Sequence, residues 1–467
     1  MPDAPRGPIT VPPPEHRPVR PPAENLRTHI VRTVQLAGPV MIARLGLLLM
    51  VTVDTVMIGR YDTSELAIYA ISMAPHQFLL TIGIGLLVGT IVLTAQAKGA
   101  GREHQCGAIW HAGLMTAFIL GLVECLVLQF GEHILLALNQ TPTFASQGGE
   151  AMRWFGPGMP AIFIFIASSA LLEGLGRPTP GMVVALLGNV ANFVLNWLFI
   201  FGHLGAPEMG AAGANLATTL TRWLMAAVLI VYVLQLADRD VLGLLGPLRK
   251  GIANIPPLLR LGIPISTGIG VESSSFMTLT SFAGRISADV LAAYQIIFNL
   301  LALAFMLAIG VSTATAVRVG NAIGRGDAAG VAVAGWVGTG LIFVVMALVA
   351  ISLALFKGPI VAGYTDSEII VALVGTVIFI LIGLFVFDGV QAVLMGALRG
   401  AGDVVIPVMF QTIAFWGISV PLAYMLSIRG DEGMAGLLTG IMSGLITATL
   451  LLSLRFRYVS AKGNITV

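Results

Sequence analysis

Twelve runs of apolar residues, each close to or beyond the ~20 needed to cross bilayer hydrocarbon, leave this chain few ways to fold. They fall at about 34–58, 66–96, 106–130, 150–172, 180–202, 209–235, 258–284, 289–317, 330–356, 367–396, 404–427 and 433–455. The chain is 57% hydrophobic and only 10% charged, against about 25% charged in soluble domains. A soluble core has no room for so much apolar surface, so the expected fold is an all-α integral membrane protein with twelve transmembrane helices. The runs are continuously apolar rather than alternating, which argues against an outer-membrane barrel.

Lys and Arg set the expected orientation, because cytoplasmic loops retain positive charge. Arg102, Arg177, Arg249, Lys250, Arg325 and Arg455 fall on the side of the N-terminus, and Arg60, Arg153, Arg285, Lys357 and Arg429 on the other. The first side is the richer overall, so a multi-pass protein of the cell inner membrane with both termini cytoplasmic is expected. The net charge of +2 then reflects topology and gives no reason to expect nucleic-acid binding. Cys106 and Cys125 share one expected helix, which argues against a disulfide framework. Residues 1–30, rich in Pro and Arg, read as a disordered cytoplasmic tail rather than a signal peptide, and 459–467 as a C-terminal tail.

Transporters are often built from duplicated halves. An offset of 225 carries Pro39 to Pro264, Arg60 to Arg285, Tyr69 to Tyr294, Gly85 to Gly310, Thr90 to Thr315, Gly99 to Gly324 and Gly101 to Gly326. One residue more carries Gly174 to Gly400, Gly176 to Gly402 and Gly210 to Gly436. Six helices per half make the repeat parallel, with its axis along the membrane normal. The expected organisation is a six-helix lobe at 31–235, a polar cytoplasmic linker at 236–257 that straps the lobes together, and a second six-helix lobe at 258–458. Pro39 and Pro264 either bend the first helix of each half or mark its end.

Three carboxylates, Asp54, Glu272 and Asp388, sit alone inside these runs. An acid at the bilayer centre costs about 2.5–3.5 kcal/mol on insertion scales, so it usually faces a wet cavity, an ion or a proton route. The repeat does not duplicate them: Asp54 corresponds to Leu279, Glu272 to Leu47 and Asp388 to Ile162. In the first half Asn189, Asn192 and Asn196 share a helix face, with Thr218 on the next helix. A carboxylate with amide and hydroxyl oxygens suits a small hard cation such as Na+; the asparagines alone also fit plain interhelical hydrogen bonding. In the second half Glu272 precedes Ser273, Ser274 and Ser275, and Asp388 has Gln391 on the next turn. Each acid there can carry a proton, or the two together a cation. Arg44 and Arg222 are the only cations expected within helices, and both lie in the first half. Glu124 is expected to snorkel to the interface, His76 and His111 to be structural, and Trp154, Trp197 and Trp416 to belong to an interfacial belt.

The runs VDTVMIG (Val53 to Gly59), EGLGRPTP (Glu173 to Pro180), NFVLNW (Asn192 to Trp197) and FDGVQAVLMGALRGAGD (Phe387 to Asp403) resemble the multidrug and toxic compound extrusion family over about residues 30–458. Within that family the chain is similar to the NorM-like branch. The resemblance implies cation-coupling carboxylates at Glu272 and Asp388 in the second lobe and a cation site at Asp54, Asn192, Asn196 and Thr218 in the first. Asn196 stands where some relatives outside the branch have Asp, which lowers the negative charge of that site. Arg222, four residues from Thr218, is foreign to the pattern, and its charge would weaken cation binding there.

The expected function is a secondary active antiporter that exports amphipathic or cationic drugs and toxic compounds in exchange for Na+ or H+. Asp54, Glu272 and Asp388 are then also candidate substrate contacts, and Na+ would sit at either set of residues. The protein would need no cofactor, would meet small organic cations and membrane lipid, and would act as a monomer. The alternative is a flippase for lipids or lipid-linked precursors of the same superfamily, which favours basic rather than acidic cavities. An enzyme would need a reactive cluster that the short loops lack, and a channel would need a filter-like repeated motif.

Overall fold

The computed structural model describes residues 26–462, all-helical with turns between and no strand among them. The first half holds α1 (Leu26–Tyr61), α2 (Thr63–Gly99), α3 (Cys106–Gln129), α4 (Pro142–Gly174), α5 (Thr179–Phe201) and α6 (Gly210–Leu234). The second holds α7 (Ile255–Ile286), α8 (Ala288–Gly324), α9 (Ala328–Leu355), α10 (Glu368–Thr376 continued by Ile378–Gly400), α11 (Val405–Arg429) and α12 (Gly433–Lys462). Eleven of these are long and apolar enough to cross a membrane. The remaining one, α7, has 32 residues, but its serines, threonines and Glu272 reduce its hydropathy. Most of the expected N-terminal tail lies outside the described residues; the described part, 26–30, is already helical, and α12 runs on into the expected C-terminal tail.

Local chemistry repeats with the sequence. Asp62 caps α2 by accepting from the backbone N–H of Ser64 at 2.7 Å and of Glu65 at 3.2 Å, and its repeat equivalent Ser287 caps α8 by accepting from Val290 at 3.1 Å. Each satisfies a donor left over at the helix start. After α2 and α8 the chain turns through Gly101 (φ 69°) and Gly326 (φ 67°), a conformation that costs a side chain with a Cβ. Pro39 and Pro264 lie inside continuous helices, so they do not mark helix ends; Pro75 is likewise internal to α2.

Of the two largest cores, one forms from residues of α1 to α6 and the linker and the other almost wholly from α7 to α12, and smaller clusters such as Val92 with Leu261, Ile265 and Val404 bridge the lobes. Outward faces are apolar. On α3, Phe118, Ile119, Leu122, Val123 and Leu126 form an exposed stripe, untenable in water and suited to lipid. The linker is not a free strap: Leu242 and Leu244 are buried in the first core, Gly107 donates to the Leu242 carbonyl at 2.8 Å, and the His111 ring meets the Leu244 carbonyl at 3.0 Å.

The lobes meet through equivalent residues. A Cβ on Gly99 would lie 2.2 Å from the Asn321 carbonyl oxygen, and one on Gly324 2.2 Å from that of Gln96; Asn321 is the repeat equivalent of Gln96. Likewise Gly85 abuts Ser266 of α7, and Gly310 abuts Met41 of α1, the equivalent position. Such reciprocity is what a two-fold relation between lobes produces. Interlobe hydrogen bonds lie deeper in the bundle, where Ser266 Oγ donates to the Ile82 carbonyl at 2.8 Å, and at the same end as Gly99 and Gly324, where Gln96 Nε2 donates to the Gly400 carbonyl at 3.1 Å and Arg318 to that of His29 at 2.6 Å. Arg455 pairs with Asp403 nearby, so both ends of the described chain share this closed end of the bundle.

Candidate functional site

Helix α5 is inside out by soluble standards. Val183, Leu187, Val190, Phe193 and Val194 are exposed, whereas Gly181, Ala185, Gly188, Asn192 and Asn196 are buried. The period of 3.6 thus turns two amides toward α1 and α6. On α1 the buried stripe Gly46, Met50, Asp54 and Met57 faces them. Asp54, 1% exposed, accepts from Asn196 Nδ2 at 2.5 Å, from Thr218 Oγ1 at 3.0 Å and from Tyr69 Oη at 3.2 Å. Asn192 joins the shell by donating to Thr218 Oγ1 at 3.2 Å and accepting from Asn196 at 3.2 Å. All four expected first-lobe residues are therefore brought together. Asn196 Oδ1 is buried without a partner among the described residues. Asn189 is not in this shell: its amide donates to Ala185 of its own helix at 2.9 Å.

The second site is built differently. Glu272 on α7 is half-buried and accepts from Gln411 Nε2 of α11 at 2.9 Å. Asp388 on α10 is 4% exposed and within electrostatic reach of Glu272, yet makes no hydrogen bond or ion pair among the described residues. The buried Oε1 atoms of Gln391 and Gln411 have no partner among the described residues. Beyond Gln411, α11 widens into π-helical turns at Ile413–Ser419 and Met425–Arg429, a distortion frequent at functional sites.

Several expectations change. The helices outrun their apolar cores, so Arg260, Arg285, Arg318 and Arg399 are also intrahelical, and Arg399 is within electrostatic reach of Glu272. Glu124 does not snorkel: it is 4% exposed, and its Oε2 is buried without a partner. Arg222 lies 3.3 Å from His76 Nε2 and 4.2 Å above the Phe155 ring. Arg44 pairs with Glu173 at 3.7 Å. Cys106 and Cys125 are both free, and Trp154, Trp197 and Trp416 are partly exposed at about the 40% level, at 41%, 39% and 42%. Among the described residues no three His, Cys, Asp or Glu are placed to hold a metal ion; an Na+ site at Asp54 would rely on neutral amide and hydroxyl oxygens.

Sequence reasoning missed Tyr69 and Gln411. Tyr69 stood out only as a repeat match, and repeat matches read as structural. Gln411 is a lone amide in an apolar run, the same signal that drew attention to Gln391.

A family model, MatE, matches residues 39–198 and again 264–425, and the second match begins 225 residues after the first, as the internal repeat does. The chain is 33% identical over 459 residues to a probable multidrug resistance protein NorM of Caulobacter vibrioides, covering 98% of this chain and 94% of that one. It is 30% identical over 441 residues to the multidrug resistance protein NorM of Aliivibrio fischeri, covering 92% and 95%. Among solved structures, the outward-facing conformation of a multidrug resistance MATE family transporter of the MOP superfamily superposes with a TM-score of 0.84 at 20% identity, covering 95% of this chain and 98% of that one. A eukaryotic MATE transporter gives 0.84 at 19%, covering 94% and 99%. With twelve helices in two repeat-related lobes and matches over nearly its whole length, the chain belongs to the multidrug and toxic compound extrusion family of membrane transporters, in its NorM-like branch.

Proposed function

We propose that the protein is a secondary active antiporter that exports amphipathic, often cationic, drugs and toxic compounds across the cell inner membrane in exchange for Na+ or H+. The observation that carries this reading is that Asp54, Glu272 and Asp388 are held at membrane depth with no ion pair to any of them among the described residues. Acids kept there at a cost of several kcal/mol are suited to seizing and releasing a positive ion. The lobes are 31–235 and 258–458, the linker is 236–257, and both termini face the cytoplasm. The end where Gly99 and Gly324 meet the opposite lobe is then cytoplasmic. The relatives' names as multidrug resistance proteins support the substrate class.

Glu272 and Asp388 carry the coupling cation in the second lobe. Asp54, Asn192, Asn196 and Thr218 form the first-lobe site, where the carboxylate, the free Asn196 Oδ1 and the Thr218 hydroxyl are hard donors for Na+. Drug binds between the lobes when they face the cytoplasm. Outside, cation binding disfavours the drug-loaded form, so coupling is a difference in affinity between two states. Neutral Asn196 lowers the negative charge of the first-lobe site. The purified protein in proteoliposomes, given an organic cation and either a pure Na+ gradient or a pure pH gradient, tests the reading. Drug movement driven by one gradient and abolished by its collapse is expected; movement under neither overturns it.

A further inference from the structure

The antiport reading leaves the charge pair Arg44 and Glu173 without a role, although Glu173 opens the EGLGRPTP run. Arg44 comes from α1; Glu173 and Ser169 lie one turn apart on one face near the end of α4. The pair is poorly closed. The nearest guanidinium nitrogen stands 3.7 Å from Glu173 Oε1, beyond hydrogen-bond length. Three polar atoms here, Arg44 Nε, Glu173 Oε2 and Ser169 Oγ, are buried with no partner among the described residues. Glu173 is 7% exposed and Ser169 9%. All three residues line one small cavity between α1, α4 and α5, which Gly181 of α5 also lines. A Cβ built on Gly181 would stand 3.0 Å from Ser169 Oγ, so the absent methyl is what leaves the hydroxyl a space to face.

The donor and acceptor types select the occupant. Arg44 Nε–H can only donate, an ionised Glu173 Oε2 can only accept, and the Ser169 hydroxyl can do either. An anion would meet the carboxylate and a cation the guanidinium, so neither suits both. The cavity measures about 10 Å3, close to the least room one water needs, and a buried water typically makes about three hydrogen bonds. We propose that Arg44, Glu173 and Ser169 form a binding site for one held water, which accepts from Arg44 Nε, donates to Glu173 Oε2 and completes its shell at Ser169 Oγ. The 3.7 Å gap between the charges is then bridged rather than left open. This water joins α1, the helix that carries Asp54, to α4 where direct contact does not close. The site needs neither drug nor gradient, so it stands or falls apart from the antiport reading.

X-ray footprinting of the purified full-length protein in lipid nanodiscs tests this, because a water held inside a protein is split in place to hydroxyl radical and oxidises the side chains beside it. Phe165 lines the cavity and is only 3% exposed, whereas Phe163 of the same helix is 0% exposed and does not line it. Oxidation of Phe165 but not of Phe163 is expected. It should be lost in Gly181→Ala, whose new methyl takes up the cavity. Should that variant fail to fold, Ser169→Val, which fills the space from the other wall and removes a partner, decides in its place. After mixing with water that carries a heavy oxygen isotope, the isotope should reach Phe165 later than it reaches exposed His104. An unoxidised Phe165 would mean a dry cavity, and isotope arrival as fast as at His104 an open cleft. Either result overturns the site, as would oxidation of Phe165 and Phe163 alike or oxidation of Phe165 that survives filling of the cavity.

Discussion

The two lobes share a plan and divide the polar work unequally. In the first, Asp54 is enclosed by three side-chain donors from three helices. In the second, Glu272 has one, Gln411, and Asp388 has none. The tyrosines make the point sharply. Tyr69 donates to Asp54, whereas its repeat equivalent Tyr294 has no acid to meet, because the position equivalent to Asp54 is Leu279. Duplication supplied the frame, and loss of symmetry supplied two different sites. A saturated acid is held in one geometry by its neighbours, while an unsaturated one has lone pairs free for an incoming cation or proton.

The largest effect expected from this contrast is on coupling. Asp388→Asn, or Glu272→Gln, should reduce gradient-driven drug efflux by roughly ten- to a hundredfold, the value of one charged contact of about 1.5–3 kcal/mol. Flux assays in proteoliposomes check this, and normal efflux in Asp388→Asn would break the comparison. Next, Gly99→Val or Gly324→Val should oppose closure of the end bearing the termini by about 1–3 kcal/mol, because the new side chain meets backbone of the other lobe. Spin-label distances across that end should lengthen equally for the two variants; unequal shifts would deny the two-fold contact.

In the saturated lobe, Thr218→Val removes a donor to Asp54 and the acceptor of Asn192. It should lower stability by about 1–3 kcal/mol, read as a lower thermal midpoint. Gln411→Leu should cost less, since Glu272 has only this one side-chain donor and is only half-buried. The smallest effect concerns the ties between the fourth and sixth helices of each lobe. Arg177 pairs with Asp238 at 2.7 Å in the first, and Asp403, the repeat equivalent of Arg177, pairs with Arg455 at 2.6 Å in the second, with the charges exchanged. The Arg177 hydrogen bonds hold the Asp238 carboxyl below its usual range. Its stabilisation is therefore complete above the ordinary carboxylate pKa and fades as pH falls through the depressed one. Because this pair is largely exposed, Asp238→Asn should cost only about 0.2–1 kcal/mol; Asp403→Asn, at the more buried pair, should cost more in the same melts at neutral pH.

Much of this was legible in the chain. The repeat offset paired Gly99 with Gly324 and Gly85 with Gly310, and the structure sets each member against the opposite lobe, since equivalent sequence positions must occupy equivalent places about a two-fold axis. Asp54, Asn192, Asn196 and Thr218 were legible as a group because lone polar residues in apolar runs have few reasons to be there. Glu124 was misjudged for a related cause: its depth along α3 allowed an interfacial position, but which face it takes depends on how α2 and α4 pack against α3. Asn189 shared the helical face of Asn192 yet lies a turn too far toward the closed end to reach Asp54.

By itself the sequence determined the number of helices, the duplication and the cost of each buried acid, because bilayer thickness and hydration act on every segment separately. Only the tertiary structure decided that Tyr69 and Gln411 complete the sites, that the linker docks on α3, and that Arg222 packs over the Phe155 ring beside His76. Those facts depend on the rotation of each helix against its neighbours, which packing between distant segments sets and no local pattern encodes.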